Sequence, residues 1–106
     1  MLNELAKEIH DNAVMHGWWD DPRTFGEIIA LCHSELSEAL EEYREGRPDV
    51  WSGMGGKPEG VAVEMADCLI RILDWFGKKN LDVDSIVTEK HEYNKTRPYR
   101  HGGKVI

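Results

Sequence analysis

The segment that most constrains the fold runs from Val61 to Phe76, where twelve of sixteen residues are apolar. The four exceptions, Glu64, Asp67, Arg71 and Asp74, recur at steps of three and four. Because residues at that spacing share one face of an α-helix, the pattern predicts a helix that is apolar everywhere except along one narrow stripe. Burial of such a helix on most sides draws the first two acids of the stripe toward the interior.

Glycine, asparagine and proline divide the chain into four predicted helices, over about 2–16, 25–45, 60–76 and 84–95. Thr24 and Glu27 have the spacing of a capping box, and Gly77 and Asn80 are the stop signals of the third helix. Residues 46–60 contain five Gly and two Pro, which predicts a long mobile connection. No segment alternates polar and apolar residues with the period of a strand. The chain is therefore predicted to be all-α, with four helices packed as a bundle.

The domain organisation follows from the length of 106 residues. One helical domain is expected over 1–96, followed by a flexible basic tail over 97–106. Asp84 or Ser85 is the expected cap of the fourth helix, and Pro98 excludes its continuation. A domain this small with a nearly all-round apolar helix needs a partner surface, so a homodimer or homotetramer is expected.

Charge and composition exclude several classes of function. Up to residue 77 the chain carries six Lys/Arg against sixteen Asp/Glu, and beyond it seven against four. The acidic body repels a phosphate backbone, so no DNA duplex is expected as a partner. The longest apolar run, Ile28 to Cys32, is too short for a membrane span. The two cysteines form no disulfide framework, which favours a cytoplasmic location.

Two pairs of carboxylates are set into apolar stripes. Glu35 and Glu38 share one face of the second helix, and Glu64 and Asp67 share one face of the third. If the pairs face each other, two like charges 4 Å apart repel by about 4 kcal/mol at an effective dielectric constant of 20. Oxygen-only ligands select a hard cation, Mg²⁺ or Mn²⁺, and the absence of Glu-x-x-His motifs argues against a di-iron centre. The alternative is that the acids are solvated or pair with arginines on the same helices.

The spacing of these acids resembles a known signature. Glu35-x-x-Glu38, followed after 25 residues by Glu64-x-x-Asp67, is similar to the motif of the all-α nucleoside triphosphate pyrophosphohydrolases, the MazG-like superfamily. The surrounding words match as well, HSELSEA at 33–39 and EMAD at 64–67. The stretch YNKTRPYRHGGK at 93–104 resembles the ending of short single-domain members, so the likeness covers nearly the whole chain.

The resemblance implies a hydrolase that cleaves a nucleoside triphosphate between its α- and β-phosphates, giving the monophosphate and pyrophosphate. By motif match, Glu35, Glu38, Glu64 and Asp67 hold Mg²⁺, with Mn²⁺ as the alternative ion. Glu35 and Glu38 are also the expected catalytic residues. Which carboxylate takes the proton stays open, as do the nucleobase and the sugar.

Five residues are candidates for substrate binding. Lys90, Asn94 and Arg97 lie on the fourth helix and at its end, where steps of four and three place them on one face. Asn94 matches an Asn that lies in the substrate pocket of relatives. Trp19 lies in a loop, where a base can stack on its ring. His10 and Trp19 also lie at offsets before the first acidic motif that resemble pocket positions in dCTP-cleaving relatives. A solvated basic helix and gap-filling aromatic rings are the alternatives.

Two other functions stay compatible with the sequence. One is a non-catalytic helical interaction module, such as an antitoxin-like partner, which keeps the acidic motif without using it. The other is an enzyme similar to phosphoribosyl-ATP pyrophosphatase, in which the same metal chemistry acts on a different substrate.

Overall fold

The computed structural model describes all 106 residues, and the chain is mostly α-helical, as predicted. The four long helices and one short helical turn are α1 (Leu2–Met15), α2 (Phe25–Arg44), α3 (Val61–Lys79), α4 (Val83–Lys95) and α5 (Arg100–Gly103). None of the helices combines the length and the apolar character that a membrane span requires. The predicted bounds of the long helices agree with the observed ones to within one residue, except at the end of α3.

Helix α3 is the centre of the packing, with α2 on one side and α1 on another. A small core forms where α1, α3 and the start of α4 meet, around Ala6, Leu73 and Val83. Beyond Val83, α4 extends away from this core, and its apolar residues Ile86 and Val87 are exposed. The predicted four-helix bundle is therefore a packed set of three helices to which α4 is joined by its first turn.

The joint between α1 and α4 is made by reciprocal capping. Asp84 accepts hydrogen bonds from the backbone N–H groups of Leu2 and Asn3, at 2.8 and 3.2 Å. Asn3 Oδ1 in turn accepts from the backbone N–H of Val83 at 2.7 Å. Asp82 caps α4 through the N–H of Ser85, so the prediction of Asp84 or Ser85 as this cap was wrong. The carboxylate at 84 serves instead as the acceptor for the orphan donors that begin α1.

Gly77 lies inside α3 and does not end it, contrary to the prediction. The helix continues to Lys79 and ends at Asn80, which adopts the left-handed conformation. A Cβ at position 77 would lie 2.7 Å from the backbone oxygen of Ala6 and from Cβ of His10. This glycine therefore permits the close approach of α1 and α3, a tertiary requirement that local sequence patterns do not reveal.

The connection between α2 and α3 contains a small hairpin where only a mobile segment was predicted. Strands β1 (Trp51–Ser52) and β2 (Pro58–Glu59) pair antiparallel around a 3₁₀ turn at Met54–Gly56. The indole N–H of Trp51 donates to Glu42 at 3.4 Å. Arg47 lies over the same ring, 5.0 Å from its centroid. An aromatic anchor and a cation–π contact thus give the glycine-rich segment a definite path.

Candidate metal centre

Three carboxylates meet where α2 packs on α3. One oxygen from each of Glu35, Glu64 and Asp67 lies within 4.8 Å of the others. Glu35 comes from α2 and is only 8% exposed, whereas the two acids of α3 are half-buried. The spacing of three residues places Glu64 and Asp67 on one face of α3, and the packing of α2 against α3 brings Glu35 next to them. We call these three residues the acid cluster.

Glu38 lies beside the acid cluster, on its solvent side. It is exposed, and it is close enough to Glu64 to contribute to the raised pKa of that acid. Both residues line a surface groove with further side chains of α2 and the following loop, namely Glu41, Glu42, Glu45 and Arg47. Because Glu38 is one turn beyond Glu35 on α2, it approaches Glu64 but is not part of the set whose oxygens all lie within 4.8 Å of one another.

The electrostatics of the acid cluster are unfavourable without a cation. Burial raises the pKa of Glu64 to about 7, and the neighbouring carboxylates of Glu38, Asp67 and Glu35 contribute in the same direction. Burial, and then the charge of Glu35, raise the pKa of Asp67 as well. The Oε2 atom of Glu64 is buried and has no hydrogen-bond partner. A buried acceptor without a donor costs free energy, so a donor or a cation at this atom would be stabilising.

Arg71 provides the positive charge next to the acid cluster. Its Nε donates to Oε1 of Glu35 at 2.9 Å, and both side chains are largely shielded from solvent. The guanidinium also opposes the rise in the pKa of Asp67. The alternative that the acids pair with arginines thus describes Glu35, whereas Arg44 pairs with Glu41 at 3.7 Å, outside the cluster.

A cavity of about 410 Å³ opens directly beside the acid cluster. It lies between α1, the loop that follows it, α2 and α3, and Glu35 and Asp67 form part of its wall. The remaining wall combines apolar side chains with a few polar groups, including Leu5, Ile9, Ala13, Ile28, Leu31, Ile70, Glu8 and Asn12. Eight of the fifteen residues that line the cavity are apolar, and a cavity of this size that combines apolar walls with convergent polar groups is typical of sites for small organic ligands.

Trp19 and His10, both predicted to bind substrate, are tied to each other and to Asp74. The indole N–H of Trp19 donates to both carboxylate oxygens of Asp74, at 3.0 and 3.1 Å. Nδ1 of His10 lies 2.7 Å from the same carboxylate, and the two rings meet edge to face. The ammonium of Lys78 lies 5.4 Å from the Trp19 centroid. This set of contacts fixes the position of Trp19 at the cavity wall.

Asp74→Ala is expected to lower the free energy of unfolding by about 2 kcal/mol, because the half-buried indole N–H loses its acceptor and His10 loses its partner. Urea denaturation of the variant measures the change. Asp11→Ala is the matched control, since Asp11 makes one exposed salt bridge, with Lys7 on the same helix. Equal stability of the two variants would contradict a positioning role for Asp74.

Trp18 and Arg23 also line the cavity, although the sequence did not single them out as substrate contacts. Arg23 donates to the backbone oxygen of Trp18 at 2.6 Å, and its guanidinium lies 5.1 Å from the ring centroid. Arg71 lies 5.5 Å from the same centroid. Two guanidinium groups therefore lie around one half-exposed indole beside the acid cluster. The sequence signal is the adjacent pair Trp18 and Trp19, on either of which a base can stack, and the prediction favoured Trp19.

The three candidates at the C-terminal end of α4 and just beyond it lie apart from the cavity within one chain. Lys90 and Asn94 are exposed, Arg97 is half-buried, and none of them lines the cavity wall. The reason is the course of α4, which leaves the other helices after its first turn. Lys90 and Asn94 share a face of α4, whereas Arg97 lies beyond the end of the helix at Lys95. Contact of any of the three with the site requires a second chain or a different position of α4.

Comparison of the chain with protein-family models, with curated proteins and with solved structures finds no match.

Proposed function

We propose that this chain is a Mg²⁺-dependent nucleoside triphosphate pyrophosphohydrolase of the MazG-like type, which hydrolyses its substrate between the α- and β-phosphates. The observation that carries the proposal is the acid cluster, which two helices contribute and of which Glu35 and Asp67 line the wall of a 410 Å³ cavity. A divalent cation at the cluster would bind the phosphates of such a substrate, and the cavity would hold its nucleoside.

The residues of the acid cluster suit a hard divalent cation. All available ligands are carboxylate oxygens, which favour Mg²⁺ or Mn²⁺ over softer metals. The unpartnered Oε2 of Glu64 is a ready acceptor for such an ion. Glu35, Glu64 and Asp67 would hold the ion, with Glu38 beside Glu64 on the solvent side. Mg²⁺ commonly takes a few carboxylates and completes its shell with water and substrate phosphates.

The remaining chemistry falls to the side chains around the cluster. Mg²⁺, when bound, neutralises phosphate oxygens and makes a coordinated water more acidic. Glu38 is exposed and has no cationic partner, so it is the proposed acceptor of the proton from the attacking water. The water oxygen forms the new bond to the α-phosphorus, the α–β anhydride bond breaks, and pyrophosphate leaves. Arg23 and Arg71 lie where they would bind phosphate oxygens at the cavity wall.

The proposal is tested by incubating the purified protein with Mg²⁺ and a panel of ribo- and deoxyribonucleoside triphosphates, with phosphoribosyl-ATP included. Chromatography then separates the products. Nucleoside monophosphate together with pyrophosphate supports the proposal, and cleavage of phosphoribosyl-ATP alone supports the related enzyme. Release of orthophosphate, or no product from any compound, contradicts it and favours the non-catalytic interaction module.

The enzyme is further proposed to be a homodimer or homotetramer, because one chain buries too little of its surface. Only nine of 106 residues are buried. Apolar side chains at helical spacing remain exposed on α2 and α3, among them Leu36, Leu40, Met65 and Leu69. Exposed apolar faces of this kind mark interaction sites. A second chain is also the means by which Lys90, Asn94 and Arg97 would reach a substrate.

Leu40→Asp and Leu69→Asp are each expected to dissociate the assembly, because a charge buried in an apolar interface is strongly unfavourable. Sedimentation velocity of the wild-type protein and of both variants measures the change. The control is Val105→Asp, an exposed apolar residue of the C-terminal segment. A monomeric wild-type protein would contradict the proposed assembly.

A further inference from the structure

The side chain of Arg71 belongs to two sites at once. On one side its Nε donates to Glu35, the most deeply buried acid of the cluster, at 2.9 Å. On the other side it lines the cavity next to Arg23, with its guanidinium 5.5 Å from the centroid of Trp18. A guanidinium presents a planar set of donors that fits a carboxylate and a phosphate equally well.

In the protein without metal, Arg71 neutralises part of the acid cluster. It pairs with Glu35 directly and stabilises the charged form of Asp67 from the next turn of α3. A divalent cation bound by the same carboxylates would lie within a few ångströms of the guanidinium, and two cations at that distance repel. The ion and the Arg71–Glu35 pair therefore compete for the same charge.

We propose that Arg71 exchanges partners during the reaction cycle, binding Glu35 while the acid cluster lacks a metal and binding the polyphosphate of the substrate when the metal is present. The inference rests on the proposed function, since it requires a metal at the cluster and a phosphate chain in the cavity. The exchange needs only rotation of a long side chain from Glu35 toward the cavity that it already lines.

The exchange couples the binding of metal to the binding of substrate. Metal binding releases the guanidinium from Glu35, and an anion in the cavity stabilises the released position. Each ligand thus increases the affinity for the other, and the effect is reciprocal by thermodynamic linkage. Removal of the guanidinium is expected to have opposite effects on the two affinities, which a purely structural salt bridge does not produce.

The first measurement is the dissociation constant of Mn²⁺ alone, from the electron paramagnetic resonance signal of free Mn²⁺. Arg71→Gln is expected to bind Mn²⁺ roughly tenfold more tightly than the wild type, because the competing charge is gone. Arg71→Lys keeps the charge and is expected to stay within about twofold of the wild type. Arg44→Gln, which removes an exposed arginine of α2, is the matched control and should leave the affinity unchanged.

The second measurement is the binding of inorganic triphosphate in saturating Mg²⁺, by calorimetry. Arg71→Gln is expected to weaken the binding of triphosphate roughly tenfold, since the anion loses a positively charged hydrogen-bond donor. Arg71→Lys, which preserves the charge and guards against a variant that fails to fold, is expected to weaken it less.

The outcomes separate the two proposals. Wild-type protein that binds no Mn²⁺ contradicts the proposed metal centre. Wild-type protein that binds Mn²⁺, combined with an Arg71→Gln variant of equal or lower Mn²⁺ affinity, contradicts the exchange and leaves the metal centre intact. Unchanged binding of triphosphate in both Arg71 variants contradicts the exchange as well.

Discussion

Glu64→Gln is expected to reduce the Mg²⁺-dependent release of pyrophosphate by at least about 100-fold. Mutation of a residue that only hydrogen-bonds to a metal ligand already lowers metal affinity or activity by about 10- to 100-fold. The substitution keeps the size of the side chain and removes the charge of the acid whose Oε2 has no partner in the chain. Because the amide is a weaker ligand for a hard cation than a carboxylate, the variant binds Mg²⁺ less tightly, and the loss of activity follows from this weaker binding. Initial rates under saturating Mg²⁺ measure the change.

The matched control for this experiment is Glu41→Gln, in which an exposed acid of α2 with only a distant arginine partner loses its charge. Its rate is expected to stay within about twofold of the wild type, because exposed charges contribute little. Equal activity of Glu64→Gln and Glu41→Gln would show that the acid cluster is not the metal centre.

The same substitution is expected to stabilise the metal-free protein at alkaline pH. Burial, with the neighbouring acids, raises the pKa of Glu64 to about 7 in the folded chain, from the ordinary value of 4.5. The folded state therefore holds this proton more tightly than the unfolded state. The resulting stability is fully present below pH 4.5 and is lost progressively as the pH rises to about 7. Asp67, whose pKa is also raised, acts in the same direction.

In the presence of a chelator, the wild-type protein is thus expected to lose about 2–3 kcal/mol of stability from this residue between pH 4.5 and pH 7. Glu64→Gln carries no such group and is expected to be more stable than the wild type at pH 8 by a similar amount. Chemical denaturation at several pH values measures both curves, with Glu41→Gln as the control. Parallel curves for the wild type and Glu64→Gln would show that the acids are not crowded in solution.

Mg²⁺ is expected to reverse the difference in stability between Glu64→Gln and the wild type at pH 8. A ligand that binds only the folded state adds about 2.7 kcal/mol at a concentration 100 times its dissociation constant. Because protons compete with the metal for the carboxylates, the gain for the wild type is expected to be larger at pH 8 than at pH 5. Glu64→Gln should gain less at both values.

The predictable part of the fold is the part that local sequence determines. Apolar periodicity located the four long helices, and the Thr24 side chain accepts the N–H of Glu27 as the capping spacing predicted. The errors fell where a distant contact decides the local structure. Gly77 is a stop signal in isolation, but here it makes room for α1. Asp84 was predicted as a cap for its own helix and instead caps α1, 82 residues away in the sequence.

The candidate site divides in the same way. The acids could be selected from the sequence because charge within an apolar helical stripe is costly unless something compensates it. The sequence could predict that the two pairs of acids approach each other. It could not predict that Glu38 lies outside the cluster of the other three, because that depends on how α2 crosses α3. The bonding of Trp19 to Asp74 is likewise a product of tertiary packing, because 55 residues separate the two.

The most direct test of the metal centre is anomalous diffraction at the manganese edge, from crystals grown with Mn²⁺ and a non-hydrolysable nucleoside triphosphate analogue. The proposal predicts a manganese peak between Glu35, Glu64 and Asp67, with phosphate oxygens of the analogue completing its coordination. No anomalous peak at that position, with these side chains directed away from one another, would contradict it.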